Sequence, residues 1–378
     1  TESPRGRIAL MKAVREGRLG ISQGVVAHWE LCLQCRACEA VCPSAVPYGR
    51  LMERTRAQVR QHYRGSLRLR LLKWVFLRLL LPHLGRLYLL GTALRLYQRS
   101  GLQRLVRSSG LLRILPGHVD QLERQLPPLP RQFFRPSVKV YPARGETRKK
   151  VGLLSGCVMP VVQAPVMEAA VRVLQANGCT VVVPVGQGCC GALNAHSGDL
   201  EMARRMARRN IDVFLEAGVD AVVVASAGCG STMKEYKELL KDDSDYRERA
   251  EQFSAKIVDI TEFLAGLPLV PPRGVVRARV TYQDPCHLVH AQRISKAPRE
   301  LLMAIPGLEL VEMEGASQCC GAAGLYSLTQ RQLSSRLLES KIRQIAATSA
   351  DIVATANPGC IAQLELGLRQ RGMKGRVC

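Results

Sequence analysis

Fourteen of the 378 residues are cysteines, and most of them recur at spacings that suit metal or redox chemistry. Cys32, Cys35, Cys38 and Cys42, followed by Pro43, form C-x2-C-x2-C-x3-C-P within LCLQCRACEAVCPSAVPYG. Two-residue spacings wrap three thiolates around one corner of an iron-sulfur cubane, while the fourth cysteine, ahead of proline, leaves the loop in another direction. A [4Fe-4S] cluster is the cofactor this pattern implies. A zinc site would need only two close pairs.

In two-cluster ferredoxins the last cysteine of each such run ligates the other cluster. This chain holds one run, which leaves two arrangements open. Either a segment carrying a first run has been lost, as the abrupt start and the end on Cys378 would fit, or the four cysteines close around a single cluster.

A second constellation emerges when the chain is compared with itself. SGC at 155–157, GCCG at 188–191 and SAGCG at 226–230 recur as DPC at 284–286, QCCG at 318–321 and NPGC at 357–360. The first cysteine repeats after 129 residues (157 to 286), the pair after 130 (189 to 319) and the last after 131 (229 to 360). Cys157, Cys189, Cys190 and Cys229 in one half, and Cys286, Cys319, Cys320 and Cys360 in the other, are therefore candidate ligands of further metal or redox sites. Four thiols per half is the number a tetrahedral metal or iron-sulfur site asks for. The competing reading makes them small buried hydrophobes beside a Gly-rich turn. Cys179 lacks a repeat counterpart and reads as core, and Cys378 carries no signal. His287 and His290 flank Cys286 and could ligate or shuttle protons, although lone histidines more often serve the core or surface.

The elements that must position these residues are repeated too. KKVGLLSGC, CTVVVPV and VDAVVVASAGC read as buried strands, separated by the helical patterns PVMEAAVRVLQANG and DLEMARRMARRNIDVFLEAG. RARVTYQDPC, LELVEM and DIVATANPGC follow as strands in the second half, with APRELLMAIPG and RQLSSRLLESKIRQIAATSA as helices. Alternating strands and helices predict an α/β fold with parallel sheets and right-handed crossovers. Every repeated cysteine then falls at the carboxyl ends of the strands, where ligands bind in such sheets. The expected organisation is a helical ferredoxin-type segment (1–60), a basic Leu/Arg-rich helical linker (61–148), and two parallel α/β Cys-Cys-Gly domains (149–272 and 273–378).

The chain's +23 charge is unevenly placed. Residues 1–150 hold 29 Lys plus Arg against 8 Asp plus Glu, a net of +21, and residues 151–378 hold 25 against 23, a net of +2. Residues 54–119 contain 14 basic residues and no acidic one, interleaved with leucine. Their longest charge-free run, Leu87 to Leu94, is eight residues, short of the roughly 20 that span a bilayer. The stretch reads as basic amphipathic helices, interrupted at Pro82 and around Gly110, that lie on a partner subunit or on an anionic membrane surface, or that pack on the body with a solvated Arg face. No helix-turn-helix, zinc-finger or aromatic RNA-binding signature accompanies the charge, so no specific nucleic-acid partner is expected. The N-terminal residues do not read as a signal peptide, so the expected location is the cytoplasm, with a peripheral position on the inner face of the membrane open.

The run together with two Cys-Cys-Gly repeats resembles the family of heterodisulfide reductase, lactate-utilisation and anaerobic glycerol-3-phosphate dehydrogenase iron-sulfur subunits. SPRGRIALMK, CLQCRACEAVCPS, CCGALNAH, SAGCGSTMKEY, HAQR and CCGAAGLYSLT are most similar to the glycolate oxidase branch, over essentially the whole chain. The resemblance implies an electron-transfer subunit: a flavin subunit oxidises the 2-hydroxy acid glycolate to glyoxylate, FAD sits on that partner, and a quinone or membrane carrier receives the electrons. Two departures stand out. Family members usually carry two ferredoxin runs, and the general pattern ends each half in C-x2-C, where this chain has Ser226 and Asn357. The second departure counts against the five-thiolate cluster of heterodisulfide reductases, and so against a thiol-reductase role. A zinc-stabilised scaffold is the third reading. The chain itself shows no G-x-G-x-x-G dinucleotide fingerprint after a strand.

Overall fold

The computed structural model describes residues 1–378 except 111, 113–119, 121, 122, 124 and 125. Two sheets carry the two halves. The first has the order β1-β3-β2-β4-β5, with β1 Ser137–Tyr141, β2 Lys149–Leu153, β3 Cys179–Val183, β4 Ala221–Val224 and β5 Ile257–Asp259. The second has the order β7-β6-β8-β9, with β6 Ala278–Tyr282, β7 Leu308–Val311, β8 Ile352–Ala354 and β9 Arg376–Val377. All pairings are parallel except that of β1 with β3. Helices cover both faces of the first sheet, so β2 and β4 lose their alternation toward the carboxyl end, where Val151, Val222, Val223 and Val224 have no exposed surface, while β3 still alternates between buried Val181 and Val183 and half-buried neighbours. Burying each of these valines contributes roughly 1.5–2 kcal/mol.

In both sheets the chain winds first to one side and then to the other. From β2 it crosses to β3, then returns past β2 to β4; from β6 it crosses to β7, then returns to β8. The reversals fall between β2 and β4 and between β6 and β8. Loops leave in opposite directions at such points and open a crevice beyond the strand ends.

The N-terminal segment forms helices Pro4–Arg15, Gln23–Glu30, Ala37–Ala40 and Tyr48–His62 around Trp29, Tyr48 and Met52. Ser3 and Ser22 cap the first two, each accepting a backbone N–H with its side chain. The basic stretch forms helices Leu67–Trp74, Leu84–Arg99 and Leu102–Ser108, with a π-helical turn over Val75–Leu80. The chain breaks at Pro82 as expected, and again at Gly101, whose φ of +83° ends the helix. The break expected around Gly110 borders residues outside the described set.

This stretch turns one apolar face inward. Leu77 and Leu81 pack with Cys157, Cys189, Met202 and Met206 of the first half, and Tyr88 donates to the Phe134 carbonyl at 2.8 Å. The other face stays exposed: Leu67, Leu71, Leu72, Leu89, Leu96 and Leu105 are each more than half accessible. Arg78 pairs in-plane with Asp199 at 2.8 Å, and Arg60 lies 3.2 Å from the same carboxylate. One buried Asp199 thus joins the N-terminal helix, the basic stretch and the first α/β half. No described helix is long and apolar enough to cross a membrane.

Candidate metal and redox site

Each repeated cysteine sits beyond a strand end. Cys157 follows β2, Cys189 and Cys190 follow β3, and Cys229 lies in the first turn of helix Ala227–Lys234 after β4. Cys286, Cys319, Cys320 and Cys360 occupy the same places after β6, β7 and β8, with Cys360 in the first turn of helix Pro358–Gln370.

The third residue of Cys-Cys-Gly is set by geometry. Gly191 and Gly321 have φ of +79° and +87°, and a Cβ on Gly321 would stand 2.7 Å from the Ser334 carbonyl oxygen. Their N–H groups each donate to the sulfur of the first cysteine of the pair, at 3.4 Å in both halves. Cys179 begins β3 at the opposite end of the strand and is fully buried, as a core residue.

Within each quartet the thiols are neighbours. Hydrogen bonding to Cys189, then burial, pushes Cys157 far above the ordinary thiol value, and Cys190 is raised by its contacts with Cys189 and Cys229. Cys189, which accepts from both flanking thiols, is held low. In the second quartet Cys286 is pushed up by Cys319 and by burial. Cys319 is lowered by Cys286, but Cys320 and burial outweigh that. The same balance raises Cys320, lowered by Cys319 but raised by Cys360 and burial. Buried thiols so close together cannot all ionise unless a positive group joins them. That donor chemistry fits an iron-sulfur group in either half. Among the described residues no three His, Cys, Asp or Glu side chains close around a point as a single ion requires.

The ferredoxin-type run lies against these quartets. Its loop turns through three left-handed non-glycine residues, Gln34, Arg36 and Ala45, with φ of 57°, 62° and 48°. Burial raises Cys35, and among its neighbours Cys286 and then Cys32 add to that. Burial, Cys35 and Cys32 push Cys38 up to about 11. Cys32, Cys35 and Cys38 thus share one locality, and Cys35 borders the second quartet. Cys42 is half-buried at the end of the short helix.

Charged and polar contacts fix this arrangement. Arg36, buried between Cys35 and Cys38, pairs with Glu39 at 2.8 Å and with Glu235 of the first half at 2.7 Å. Arg56 donates to the carbonyls of Cys32 and His196, both at 2.7 Å. Arg293 of the second half donates to the Ala40 carbonyl at 2.7 Å, and His287 Nε2 donates to the Gln34 carbonyl at 3.0 Å. A carbonyl only accepts, so the His287 proton sits on Nε2 and Nδ1 is a bare acceptor. Burial, then His196 and Arg36, push His287 down to about 3, so it stays neutral. His290 likewise spends Nε2 on a backbone carbonyl, that of Ser317 at 3.0 Å.

The two halves meet through the residues that stand where further cysteines would be expected. Asn357 Oδ1 accepts from the Gly228 N–H at 3.3 Å and lies 3.5 Å from Ser226 Oγ, while Asn357 Nδ2 is 3.6 Å from the Cys360 sulfur. The Ala227 N–H donates to the Ala356 carbonyl at 3.0 Å. Ser226 and Asn357 therefore tie one quartet to the other.

Both quartets and Cys32 line one cavity of about 950 Å³, walled elsewhere by Trp29, Trp74 and leucines of the basic stretch. Three buried polar atoms on its wall have no partner among the described residues: Gln34 Nε2, Ser155 Oγ and His287 Nδ1. His196 also lines it, 5.1 Å from His287 between ring centroids, with Nδ1 bonded to Glu53 at 2.7 Å. Sequence reasoning missed His196, Glu53 and Gln34, because they belong to no repeat and meet only through the tertiary fold.

Comparison with known proteins gives two family matches. A cysteine-rich domain model matches residues 151–234 and again 280–365. A model described as the linker region of the glycolate oxidase iron-sulfur subunit matches residues 68–126. The chain is 42% identical, over all of its length and 86% of the relative, to a probable glycolate oxidase iron-sulfur subunit of Bacillus subtilis (strain 168). It is 31% identical, over 96% of its length and 84% of the relative, to the glycolate oxidase iron-sulfur subunit of Escherichia coli (strain K12). A lactate utilization protein A of Shouchella clausii (strain KSM-K16) is 33% identical over 59% of this chain and 92% of that protein.

Proposed function

Because this chain belongs to the family of glycolate oxidase iron-sulfur subunits, we propose that it carries electrons within such a complex, from a flavin subunit that oxidises glycolate to glyoxylate toward a quinone or membrane carrier. One observation carries this reading: two quartets of mutually close thiols and Cys32 of the ferredoxin-type run line a single cavity. Cys32, Cys35, Cys38 and Cys42 would hold a [4Fe-4S] cluster. Cys157, Cys189, Cys190 and Cys229, and Cys286, Cys319, Cys320 and Cys360, would each hold a further group. Bound there, iron-sulfur clusters supply one-electron redox chemistry at potentials that the surrounding protein tunes.

The chain's own residues hold the sites in place. Arg36, Arg56 and Arg293 clamp the run against both halves, and Leu77 and Leu81 seal the first quartet. A single zinc ion asks for four donors at about 2.0–2.3 Å, whereas a multi-iron core presents a separate iron to each thiolate. Thiols gathered beside a ferredoxin-type run suit the second, which favours the redox reading over a zinc scaffold. FAD and substrate belong on partner subunits in this reading. The exposed leucine face of residues 67–105 is then the partner contact, on a chain that is cytoplasmic or peripheral to the membrane. Lactate and glycerol 3-phosphate are the alternative substrates, as the relative named for lactate utilization keeps in view.

The test is optical. Anaerobically purified chain is mixed with its flavin partner, and glycolate, lactate or glycerol 3-phosphate is added in turn. Bleaching of the visible iron-sulfur absorbance with glycolate alone supports the proposal. Flavin reduction by glycolate with the absorbance of this chain unchanged refutes it.

A further inference from the structure

The two thiol quartets are built to one plan, but the side chains beneath them differ. Helix Leu200–Glu216 underlies the first quartet with Ala207, Asn210, Ile211 and Phe214 buried. Helix Arg331–Thr348 underlies the second, and 131 residues further on Leu338, Lys341, Ile342 and Ile345 are buried in the same pattern. Asn210 and Lys341 thus occupy equivalent positions, with relative exposures of 0% and 1%.

Both serve the turn that delivers the cysteine pair. Asn210 Oδ1 accepts from the Gly188 N–H at 3.0 Å, and its Nδ2 donates to the Cys189 carbonyl at 3.0 Å. Lys341 Nζ donates to the carbonyls of Gly315 at 2.6 Å and Ala316 at 3.5 Å, just ahead of Cys319. The structural duty is shared; the charge is not.

Other charges near the second quartet nearly cancel. Asp284, in the place held by Ser155 in the first half, is buried and paired in-plane with Arg299 at 2.9 Å through both oxygens. Arg299 also meets Glu312, whose side chain is 57% exposed and water-screened. His287 and His290 each spend Nε2 on a backbone carbonyl, of Gln34 and Ser317. Lys341 remains as a buried cation with no ion pair among the described residues; burial lowers its pKa, and the charges of Cys320, Cys319, Asp284 and Cys360 act against that, while its helix neighbours Leu338 and Ile342 pack in one cluster with Cys320 and Cys360.

We infer that Lys341 makes the second thiol site the stronger electron acceptor of the two, because its fixed positive charge favours the more negative, reduced state of the group held by Cys286, Cys319, Cys320 and Cys360. The inference rests on the electron-transfer reading above. Each electron, supplied by the partner's reduced flavin, adds one negative charge to the site without forming or breaking a bond. Lys341 lowers the cost of that charge through a low-dielectric interior, and Asn210 does not. Electrons entering the pair of sites therefore collect at the second, which is also the one bordered by Cys35.

The experiment is a redox titration followed by electron paramagnetic resonance on the full, iron-loaded chain, comparing wild type with K341Q, K341R and N210K. A Cys320→Ser variant identifies the signal of the second site. Gln keeps a donor for the Gly315 carbonyl but removes the charge, so a purely structural role would leave the potential in place. The expected result in K341Q is unchanged iron and sulfide, with that signal's reduced-to-oxidised ratio at fixed potential at least tenfold lower, about 59 mV for a one-electron couple. K341R restores it, and N210K shifts the first site the other way. Unmoved potentials in iron-loaded K341Q and N210K overturn the inference and leave the electron-transfer reading intact. Wild-type iron and spectra unchanged by Cys320→Ser overturn both.

Discussion

Asp199 is the point at which three parts of the chain can be uncoupled by one atom-sized change. Its carboxylate, 2% exposed, accepts two hydrogen bonds from Arg78 at 2.8 Å and faces Arg60 at 3.2 Å. Asp199→Asn keeps the shape and removes the charge. Charge-assisted bonds contribute about 1.5–3 kcal/mol each, roughly twice their neutral equivalents. The arginine side chains are 28% and 38% exposed, so water recovers part of the loss. A net cost of about 2–3 kcal/mol remains, equivalent to roughly a 30- to 140-fold rise in the opening constant at 1.4 kcal/mol per tenfold. The basic stretch should bear that loss by local opening. Hydrogen exchange read by mass spectrometry over 75–99 reports it, with protection falling by that factor at pH 7.

The pH dependence follows from the direction of the Asp199 shift. Burial raises its pKa, but the bond from Arg78 and the charges of Arg60 and Arg78 outweigh that and hold it below the usual value. A depressed carboxylate contributes its full stability above the unfolded value of about 3.9 and loses it as pH falls through the folded value. The difference between wild type and D199N should therefore persist at pH 5 and fade only below about pH 3.9. Equal protection at pH 7, or a difference that vanishes between pH 7 and 5, refutes the reasoning.

Arg36→Met leaves Glu39 and Glu235 without their shared guanidinium; about 2 kcal/mol of stability should be lost in urea unfolding, with iron in the run more easily removed by chelator. Gly321→Ala places a Cβ 2.7 Å from the Ser334 carbonyl oxygen at φ +87° and should cost at least about 2 kcal/mol in thermal unfolding, whereas Gly372→Ala, at φ +64° in open space, should cost about 1 kcal/mol. Leu89→Glu with Leu96→Glu, at sites 73% and 62% exposed, should leave stability within about 0.5 kcal/mol and abolish co-purification with the flavin partner in high salt. Retained co-purification there, or salt-sensitive liposome binding by the wild type without a partner, would count against the partner-contact reading.

Much of the fold was legible because its cause is local. Val runs such as CTVVV and AVVV, short, β-branched and bounded by turn residues, read as strands of a covered sheet, and the apolar spacing of LEMARRMARRNIDVFLE reads as a helix with one buried face. The Cys-Cys-Gly turns follow from the left-handed glycines at 191 and 321. Other elements gave weaker signals. β1 lies in the stretch expected to be helical linker, and its mostly exposed SVKVY pattern has no core face to register. β5 and β9 are three and two residues long. The roles of Ser226 and Asn357 could not be read from one chain segment, since each is defined by its contact with the other. The same holds for Gln34 with His287 and for Glu53 with His196. Ser226 and Asn357, 131 residues apart, are repeat equivalents, but equivalence does not imply contact, and the other two pairs, 253 and 143 residues apart, lie outside the repeat.

The central claim is that the repeated cysteines, and not the run alone, hold redox groups. Iron, zinc and acid-labile sulfide per chain, measured after anaerobic purification, test it directly on wild type and on a variant with Cys157, Cys189, Cys286 and Cys319 replaced by Ser. Iron and sulfide in the wild type that fall in the variant, with the remainder accounted for by Cys32, Cys35, Cys38 and Cys42, are the expected result. Unchanged iron in the variant, or zinc in place of iron in the wild type, would contradict the account.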